Sequence, residues 1–328
     1  VLAATGVPAR WLEALDGGAG DAREALSELI ESSVCRLSED GSKVMIRELQ
    51  SRVIREAWKD EPASWGRVEE AAAGLLETVD ITAIPVWDSG RRRREVLDLV
   101  EQLRATAGQD YSRSLFSRPR TAGALTHALR YAVELGDPQA ALSLSDAVDL
   151  LDETLGSDHP DALAARGGLA AAYQAADRLE QAIFLFERTL TDSEHILGPN
   201  HPHTLTSRGN LANTYWSAGR RDEAIDLYEQ NLADRERFLG PDHSCTLTSR
   251  DDLAYAYQSA GRLDKAVPLF EQILADRERR LGSDHTSTRL FRKKLADAYR
   301  TVGRDEDAEA LLDPPPASDD AEADRPDD

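Results

Sequence analysis

Cysteine is scarce in this chain of 328 residues, which contains only Cys35 and Cys245. A disulfide framework needs several cysteines, and a structural zinc site needs clustered cysteine and histidine ligands. Two cysteines far apart in the sequence provide neither. Low cysteine use is typical of a reducing compartment, so we expect a cytoplasmic protein with no disulfide and no metal site.

Long apolar runs are also absent, although 41% of the residues are hydrophobic. A membrane-spanning helix needs about 18 or more consecutive apolar residues, so we expect no contact with a membrane. Lys and Arg number 39 against 60 Asp and Glu, which gives a net charge of -21. Nucleic acid and anionic lipid repel such a chain, so its charge disfavours both as partners, and a basic peptide is the favoured ligand.

Motifs of common catalytic classes are missing as well. The sequence has no Gly-x-x-x-x-Gly-Lys-Ser/Thr phosphate loop, no Gly-x-Ser-x-Gly elbow and no His-Glu-x-x-His pair. The Gly-Ser-Lys run at Gly41 lacks the leading glycine and the residue order that cradle a phosphate. We therefore expect no enzymatic activity in this chain and no cofactor.

A Leu-Gly pair followed by two residues and a His recurs four times. The leucines of these pairs are Leu155, Leu197, Leu239 and Leu281. Each stands 42 residues after the one before, and residues 198–239 share 27 of 42 positions with residues 240–281. A fixed period of this size predicts a stacked repeat protein, in which each unit buries its apolar face against its neighbours.

Each repeat places small residues beside large ones at helical spacing. In the first half a Leu-Ala pair precedes a Tyr, and in the second half an Ala precedes a bulky apolar residue by four positions. The tyrosines are Tyr173, Tyr215, Tyr257 and Tyr299, and the second-half alanines are Ala182, Ala224, Ala266 and Ala308. Small residues let two helices approach while large ones fill the adjacent space. A Gly-Arg turn separates the halves, except that Asp177 takes the glycine position in one repeat.

This arrangement is the tetratricopeptide (TPR) signature, and the 42-residue period with its Leu-Gly connector resembles the kinesin light chain-like TPR subfamily. The resemblance implies an all-α fold, an α-solenoid of antiparallel helix pairs in a right-handed superhelix whose first helices line a concave groove. We expect about five pairs over residues 119–312. The predicted pairs are 119–155, 156–197, 198–239, 240–281 and 282–312. In the first pair we expect helices at residues 121–135 and 138–155.

The first 60 residues predict helix, helix, β-hairpin and helix, with the hairpin strands at residues 34–37 and 43–46. The run from Glu31 to Glu56 resembles the winged-helix segment that follows the NB-ARC module in actinobacterial STAND-type signalling ATPases. The resemblance implies an intramolecular clamp on a nucleotide domain. A winged helix can also bind DNA, but the arginines of this segment are offset by neighbouring glutamates, which favours the clamp.

Two further segments complete the expected organisation. Residues 61–118 predict bridging helices between the winged-helix-like segment and the repeats. The positive charge of the run Arg91–Arg94 is balanced by nearby carboxylates, so we interpret this run as a solvated helical turn rather than a nucleic-acid site. Residues 313–328 consist mostly of Asp, Glu, Ala and Pro and have nothing to bury, which predicts a disordered acidic tail.

Two ladders of polar residues recur with the repeat. The histidines are His159, His201, His243 and His285, and the arginines are Arg166, Arg208, Arg250 and Arg292. Successive histidines lie one repeat apart, about 10 Å or more, too far to share a metal ion, so we expect each to cap a turn. The arginines are predicted to pair with carboxylates such as Asp192, Glu194, Asp234 and Glu236. The alternative is that they receive an acidic peptide.

Residues that vary while their neighbours repeat are the candidates for recognition. On the groove-facing side of the first helices these are Gln174, Thr206, Asn213, Trp216, Thr248, Asp251, Tyr255, Gln258, Asp297 and Arg300. Asn, Gln, Tyr and Trp side chains can bond an extended peptide backbone and stack on its side chains, and related TPR grooves hold peptides with Asn side chains. The alternative for Trp216 is that it packs against an adjacent helix.

The order of winged helix, bridging helices and TPR array leads to a functional prediction. We expect a protein-protein interaction scaffold that forms the sensor part of a STAND-type signalling NTPase, whose nucleotide domain precedes Val1 in a longer parent chain. A start at Val rather than Met agrees with this expectation. The alternatives are a free-standing TPR adaptor and a DNA-binding transcriptional regulator acting through the winged helix.

Overall fold

The described part of the chain is mostly helical in a computed structural model. The structure describes residues 7–8, 35–38, 42–46, 76, 79, 81–85, 87–107 and 112–312. These residues contain thirteen α-helices, a three-stranded sheet and a 3-10 turn at Ile81–Ala83. The chain divides into two compact units, Val1–Thr214 and Tyr215–Asp328. None of the described helices combines the length and the apolar composition that crossing a bilayer requires.

The first unit contains the sheet and the earlier helices. Its strands are β1 (Val7–Pro8), β2 (Cys35–Leu37) and β3 (Lys43–Ile46). Its helices are α1 (Ser89–Ala107), α2 (Ser112–Phe116), α3 (Pro119–Glu134), α4 (Pro138–Leu142), α5 (Ser145–Leu155), α6 (Pro160–Ala175), α7 (Leu179–Ile196) and most of α8 (Pro202–Ser217).

The sheet confirms the predicted hairpin and adds a strand that was not predicted. Strands β2 and β3 pair antiparallel with Cys35 opposite Ile46, and β1 pairs with the other edge of β3. Lys43 on β3 reaches α1, where its Nζ lies 2.8 Å from Glu101 Oε2 and 3.3 Å from Asp98 Oδ1. The other elements of the predicted winged-helix-like segment, residues 1–60, lie outside the described residues, as does the acidic tail at 313–328.

The core of the first unit lies between α1, α3, α5 and α6. Leu103 on α1 and Leu125 on α3 are fully buried. Gly168 on α6 stands where the later repeats carry the larger Asn210, Asp252 and Lys294. A Cβ at Gly168 would lie 3.1 Å from Leu129 Cβ on α3, so the glycine lets these two helices pack closely.

The first predicted helix pair differs from expectation in its second half. The single helix predicted over residues 138–155 is wrong, because the structure has α4 and α5 separated at Ser143 and Leu144. Ser143 Oγ donates to the Ala140 carbonyl at 2.7 Å, and the Leu144 N–H bonds the Ala141 carbonyl, three residues back. These contacts tighten the turn while Leu144 stays fully buried, so apolar spacing alone could not show the break.

The second unit is built from antiparallel helix pairs. Its helices, after the last residues of α8, are α9 (Arg221–Phe238), α10 (Ser244–Ser259), α11 (Leu263–Leu281), α12 (Thr286–Thr301) and α13 (Asp305–Leu312). Ala266 and Phe270 on α11 are fully buried, as the alternation of small and large residues predicts. The turn before α11 places Gly261 at φ 73°, and Asp177 takes the same left-handed conformation at φ 59°.

Candidate peptide-binding surface

The repeated arginines lie inside the helix pairs. In the first unit Arg166 is 2% exposed; its Nη1 donates to Asp192 Oδ2 at 2.6 Å, and its Nε lies 3.2 Å from Asp152 Oδ2. Burial raises the pKa of Asp152 even though Arg166 and Arg188 oppose that shift. Arg208 donates to Glu194 Oε1 at 2.9 Å.

The second unit repeats this arrangement. Arg250 is 5% exposed and donates to Glu236 Oε1 at 2.7 Å and to Asp276 Oδ2 at 2.5 Å. Arg292 pairs with Glu278. Each guanidinium therefore joins a first helix to a carboxylate of a second helix, and this geometry supports a structural role over peptide capture.

The four repeated histidines all lie at the start of a first helix. In each case Nδ1 accepts a hydrogen bond at 3.2 Å from the backbone N–H two residues later. The capped helices are α6, α8, α10 and α12. A helix N-terminus leaves backbone N–H groups without intrahelical partners, so a side-chain acceptor at this position stabilises it.

A second basic series was missed in the sequence because its partners lie on other helices. Arg235 on α9 is 8% exposed and donates from Nη1 to Ser249 Oγ at 2.7 Å and to the Cys245 carbonyl at 3.0 Å. Arg277 stands 42 residues later on α11 and lies 3.4 Å from Asp251 Oδ2. The Asp-Arg-Glu runs at 234–236 and 276–278, which lie 42 residues apart, could have indicated this second series of arginines.

Two tyrosines of the signature make a further contact that the sequence did not predict. Tyr257 on α10 donates to Glu229 on α9, and Tyr299 on α12 donates to Glu271 on α11 at 2.8 Å. The bond from Tyr257 holds the pKa of Glu229 below its usual range. Burial, with the contact to Glu271, raises the pKa of Tyr299 to about 12. The hydroxyls therefore stay protonated and tie neighbouring helices together.

The recognition candidates of the first unit lie on α6 and α8 and differ in exposure. Gln174, on the last turn of α6, is half-buried, whereas Thr206 and Asn213 on α8 are exposed. Thr206 Oγ1 donates to the Pro202 carbonyl at 2.9 Å within its own helix. This bond leaves lone pairs of the hydroxyl oxygen open to solvent or a ligand.

The candidates of the second unit separate into different surroundings. Trp216 is half-buried, with the Arg221 guanidinium 4.6 Å from its ring centroid. Thr248 is exposed on α10. Asp251 pairs with Arg277 on α11, and burial raises the pKa of its carboxyl group despite that arginine. Its assignment to the groove stays a prediction.

One cleft of about 530 Å³ brings together candidates from two first helices. Gln258 at the end of α10 and Asp297 on α12 both line this cleft. Its other lining residues are Leu263, Leu290, Lys293, Lys294, Ala298 and Thr301. Asp297 accepts from Arg300 Nη1 at 2.8 Å, so this pair of candidates lies on the same exposed face.

Tyr255 lies beside this cleft at the end of an aromatic row. Its ring is 43% exposed and lies 6.1 Å from the ring of the buried Phe270, which lies 5.7 Å from the ring of Phe291. Lys294 Nζ lies only 3.3 Å from the Tyr255 centroid and 4.8 Å from that of Phe270. A ligand that stacks on this face of Tyr255 must displace Lys294 or interact with its ammonium group.

The side chains that line the cleft can bind a peptide. They provide one amide, one carboxylate and two ammonium groups, together with the apolar side chains of Leu263 and Leu290. Such a set can hydrogen-bond an extended backbone and hold one apolar side chain. In the part of the chain that the structure describes, no group of three or more His, Cys, Asp or Glu side chains is placed to hold a metal ion.

Comparisons with protein families identify the same repeats. Models described as Tetratricopeptide repeat match residues 162–203 and, in overlapping copies, 185–233, 218–279 and 252–313. No curated protein matches the sequence.

Solved structures give a similar result. A kinesin light chain from Podosopora anserina with nearly identical TPR-like repeats is 32% identical; the alignment covers 62% of this chain and 94% of that chain, with a TM-score of 0.52. A variant form of that protein is 33% identical, with 58% and 91% covered and a TM-score of 0.51. BtubC (BKLC) from P. vanneervenii is 23% identical, with 69% and 89% covered and a TM-score of 0.56, which shows a shared fold.

Proposed function

This chain belongs to the tetratricopeptide repeat family, and from that premise we propose that it is a protein-protein interaction scaffold that binds a peptide segment of its partner. The observation that carries the proposal is the cleft of about 530 Å³ that Gln258 on α10 and Asp297 on α12 line together with the exposed Leu290. The repeated arginines form ion pairs with carboxylates inside the helix pairs. Because these arginines already have partners, the cleft is the better candidate for peptide binding.

The charge of the partner is a separate part of the proposal. The net charge of -21 favours a basic partner at long range. Two lysines, Lys293 and Lys294, and one carboxylate, Asp297, line the cleft. Its charged lining residues are therefore net positive, whereas the whole chain is net negative. We propose a peptide that is basic outside the cleft and places an apolar side chain beside Leu290. Its affinity should then fall with added salt, because salt screens the long-range attraction.

Peptides selected from a random display library against the whole chain provide the test. The selected pool is photo-crosslinked to two variants, one with benzoylphenylalanine in place of Gln258 and one with it in place of Gln272, a glutamine exposed on the second helix α11. Crosslinking at position 258 that exceeds that at position 272 several-fold is expected. Equal crosslinking at the two positions, or a library that yields no binder, would overturn the proposal.

We further propose that the scaffold is the sensor part of a STAND-type signalling NTPase. The order of hairpin, bridging helices and repeats supports this role. Lys43 adds a physical link, because its ion pairs with Asp98 and Glu101 join β3 to α1, and α1 packs against α3 of the first predicted repeat. A peptide that orders the repeats could therefore change the position of the hairpin through α1.

The relay is tested on the parent protein encoded by the gene. A nucleotide-binding module encoded ahead of Val1, with an ATPase rate that changes when a selected peptide is added, would support it. A gene without such a module would favour the free-standing adaptor. Gel-shift binding of DNA that weakens steeply with salt would favour the transcriptional regulator instead.

A further inference from the structure

The exposed ring of Tyr255 belongs to a cluster that the preceding repeat lacks. The ring packs on Phe270, and Phe270 packs on Phe291. Phe270 is one of the repeated bulky residues, but the other members of the cluster do not recur. The residues 42 positions before Tyr255, Phe291 and Lys294 are Asn213, Ser249 and Asp252. The cluster therefore depends on positions that vary while their neighbours repeat, as positions used in recognition do.

A cation also contacts a repeated tyrosine, but that contact lies inside the helix packing. Arg304, from the turn after α12, has its Cζ 4.2 Å from the centroid of the Tyr299 ring, and Tyr299 is only 7% exposed. The same contact occurs 84 residues earlier between the corresponding arginine and tyrosine, at 4.1 Å. Tyr255 differs, because 43% of its surface is exposed. Its ring therefore has surface left for a ligand.

Lys294 covers one face of the Tyr255 ring. Its Nζ lies 3.3 Å from the centroid of that ring and 4.8 Å from the centroid of Phe270. A carboxylate acts on the same ammonium group: burial raises the pKa of Asp251, and Arg277 and Lys294 both oppose this rise. The site therefore combines an aromatic face with a nearby negative charge, and both features attract an organic cation.

A guanidinium suits this ring face better than the ammonium of a lysine. It is planar, more weakly hydrated and stacks on aromatic rings, whereas the lysine ammonium is strongly hydrated and lies on a flexible stem. Lys294 also lines the cleft with Leu290 and Asp297, so a peptide in the cleft lies beside it. If an arginine of that peptide takes the place of Lys294, the attraction to Asp251 is kept, because one cation replaces another.

We propose that the exposed face of Tyr255 is the subsite for an arginine side chain of the bound peptide, and that Lys294 is the internal cation that this arginine displaces. The inference rests on the proposed function, because it assigns a residue of the peptide that fills the cleft. Lys294 then sets the selectivity of the subsite. A peptide without an arginine at this point leaves the ring covered, whereas an arginine replaces the ammonium group.

NMR of the whole chain tests the subsite with a small probe, N-acetylarginine amide, at millimolar concentrations and constant ionic strength. Without the probe, the ε-methylene protons of Lys294 should resonate upfield of those of other lysines, because they lie over an aromatic ring. The probe should move them to the ordinary lysine position and shift the ring signals of Tyr255. N-acetylcitrulline amide, which has a similar shape but no charge, should cause neither change.

Substitutions separate displacement from long-range attraction. Lys294→Gln removes the internal competitor and should lower the Kd of the probe about threefold or more. Arg289→Gln is the matched control, because it removes one exposed cation from the same helix without uncovering the ring, and it should leave the Kd nearly unchanged. Tyr255→Ala should abolish binding of the probe, whereas Tyr255→Phe, which keeps a ring, should retain it.

The outcomes that would overturn the proposal are specific. An ordinary position of the Lys294 signal without the probe would contradict the ring contact. A signal that the probe leaves unchanged, or an equal fall of the Kd in Lys294→Gln and Arg289→Gln, would contradict the displacement. The probe is too short to fill the cleft, so a failure of crosslinking at position 258 while the probe displaces Lys294 would contradict the cleft and support the arginine subsite.

Discussion

The interior of the second unit and its exposed face differ in burial and in how far their residues vary between repeats, although the same helices provide both. Interior positions recur every 42 residues and are buried and paired, as Phe270 and Arg250 show. Positions on the exposed face vary between repeats and are open to solvent, as Tyr255 and Asp297 show. Buried packing restricts which residues a position accepts, whereas an exposed position can change with the ligand.

This difference separates stability from recognition within single helices. Substitutions in the interior should cost folding free energy, and substitutions of the same kind on the exposed face should leave it nearly unchanged. Pairs of variants, one at an interior residue and one at an exposed residue of similar chemistry, separate the two effects.

The aromatic row should give the largest contrast. Phe270→Ala removes a fully buried ring from between Tyr255 and Phe291 and should lower the free energy of unfolding by about 3–5 kcal/mol. Tyr255→Ala removes the 43% exposed ring at the end of the same row and should cost about 1 kcal/mol or less. Urea denaturation measures both values. Equal costs would mean that the row is a single buried cluster and that Tyr255 is not part of a binding face.

The arginines should give the next contrast. Arg250→Ala leaves Glu236 and Asp276 without their shared partner in a largely buried site, which should cost about 2 kcal/mol. Arg300→Ala breaks an exposed pair with Asp297 and should change stability by about 0.5 kcal/mol or less. Thermal denaturation of each variant beside the unmodified chain measures both stability changes. An unchanged unfolding midpoint in Arg250→Ala would contradict the structural role of the repeated arginines. It would favour the alternative that these arginines bind an acidic peptide.

The carboxylates should give the smallest contrast, and it depends on pH. Burial raises the pKa of Asp252, and Asp251 raises it further, against the effect of Arg235. The native carboxyl group thus holds its proton more tightly than the unfolded one, whose pKa is near 3.8. The ionised group therefore reduces stability at pH 7, and this cost is lost as the pH falls through the raised value towards the unfolded one.

Asp252→Asn should therefore be slightly more stable than the unmodified chain at pH 7, by less than about 1 kcal/mol because solvent screens the site. The gain should vanish below pH 3.8. Asp297→Asn, on the exposed face, is the matched control and should change the free energy of unfolding at pH 7 by about 0.5 kcal/mol or less. A loss of stability in Asp252→Asn at pH 7 would show that the charged form makes a favourable contact, contrary to the raised pKa.

Much of the interior could be predicted from the sequence because its signals are local or strictly periodic. The 42-residue period placed the arginines, and their offset from the repeated Leu pointed them to the neighbouring helix, where Asp192, Glu194 and Glu236 lie. The alignment of Asp177 with glycines in the other repeats placed a turn there, and the structure shows that this turn is left-handed.

The exposed face could be predicted only in part, because its details depend on distances between helices. Helical spacing showed that Tyr255 is exposed but not that Lys294, on the next first helix, covers its ring. Asp251 was predicted to lie on the groove side, and the sequence did not show its ion pair with Arg277 on α11. Both contacts join side chains from different helices, and the period of one helix carries no information on such pairs.

The most direct test of this account measures the affinity of a library-selected peptide for two triple variants by titration calorimetry. Gln258→Ala/Leu290→Ala/Asp297→Ala alters the cleft, whereas Asp226→Ala/Gln230→Ala/Gln272→Ala alters exposed residues of the second helices α9 and α11. We expect a Kd at least about tenfold higher for the cleft variant, which corresponds to a loss of about 1.4 kcal/mol or more of binding free energy. The Kd of the control should be unchanged, with both variants fully folded. An unchanged Kd in the cleft variant would contradict this account.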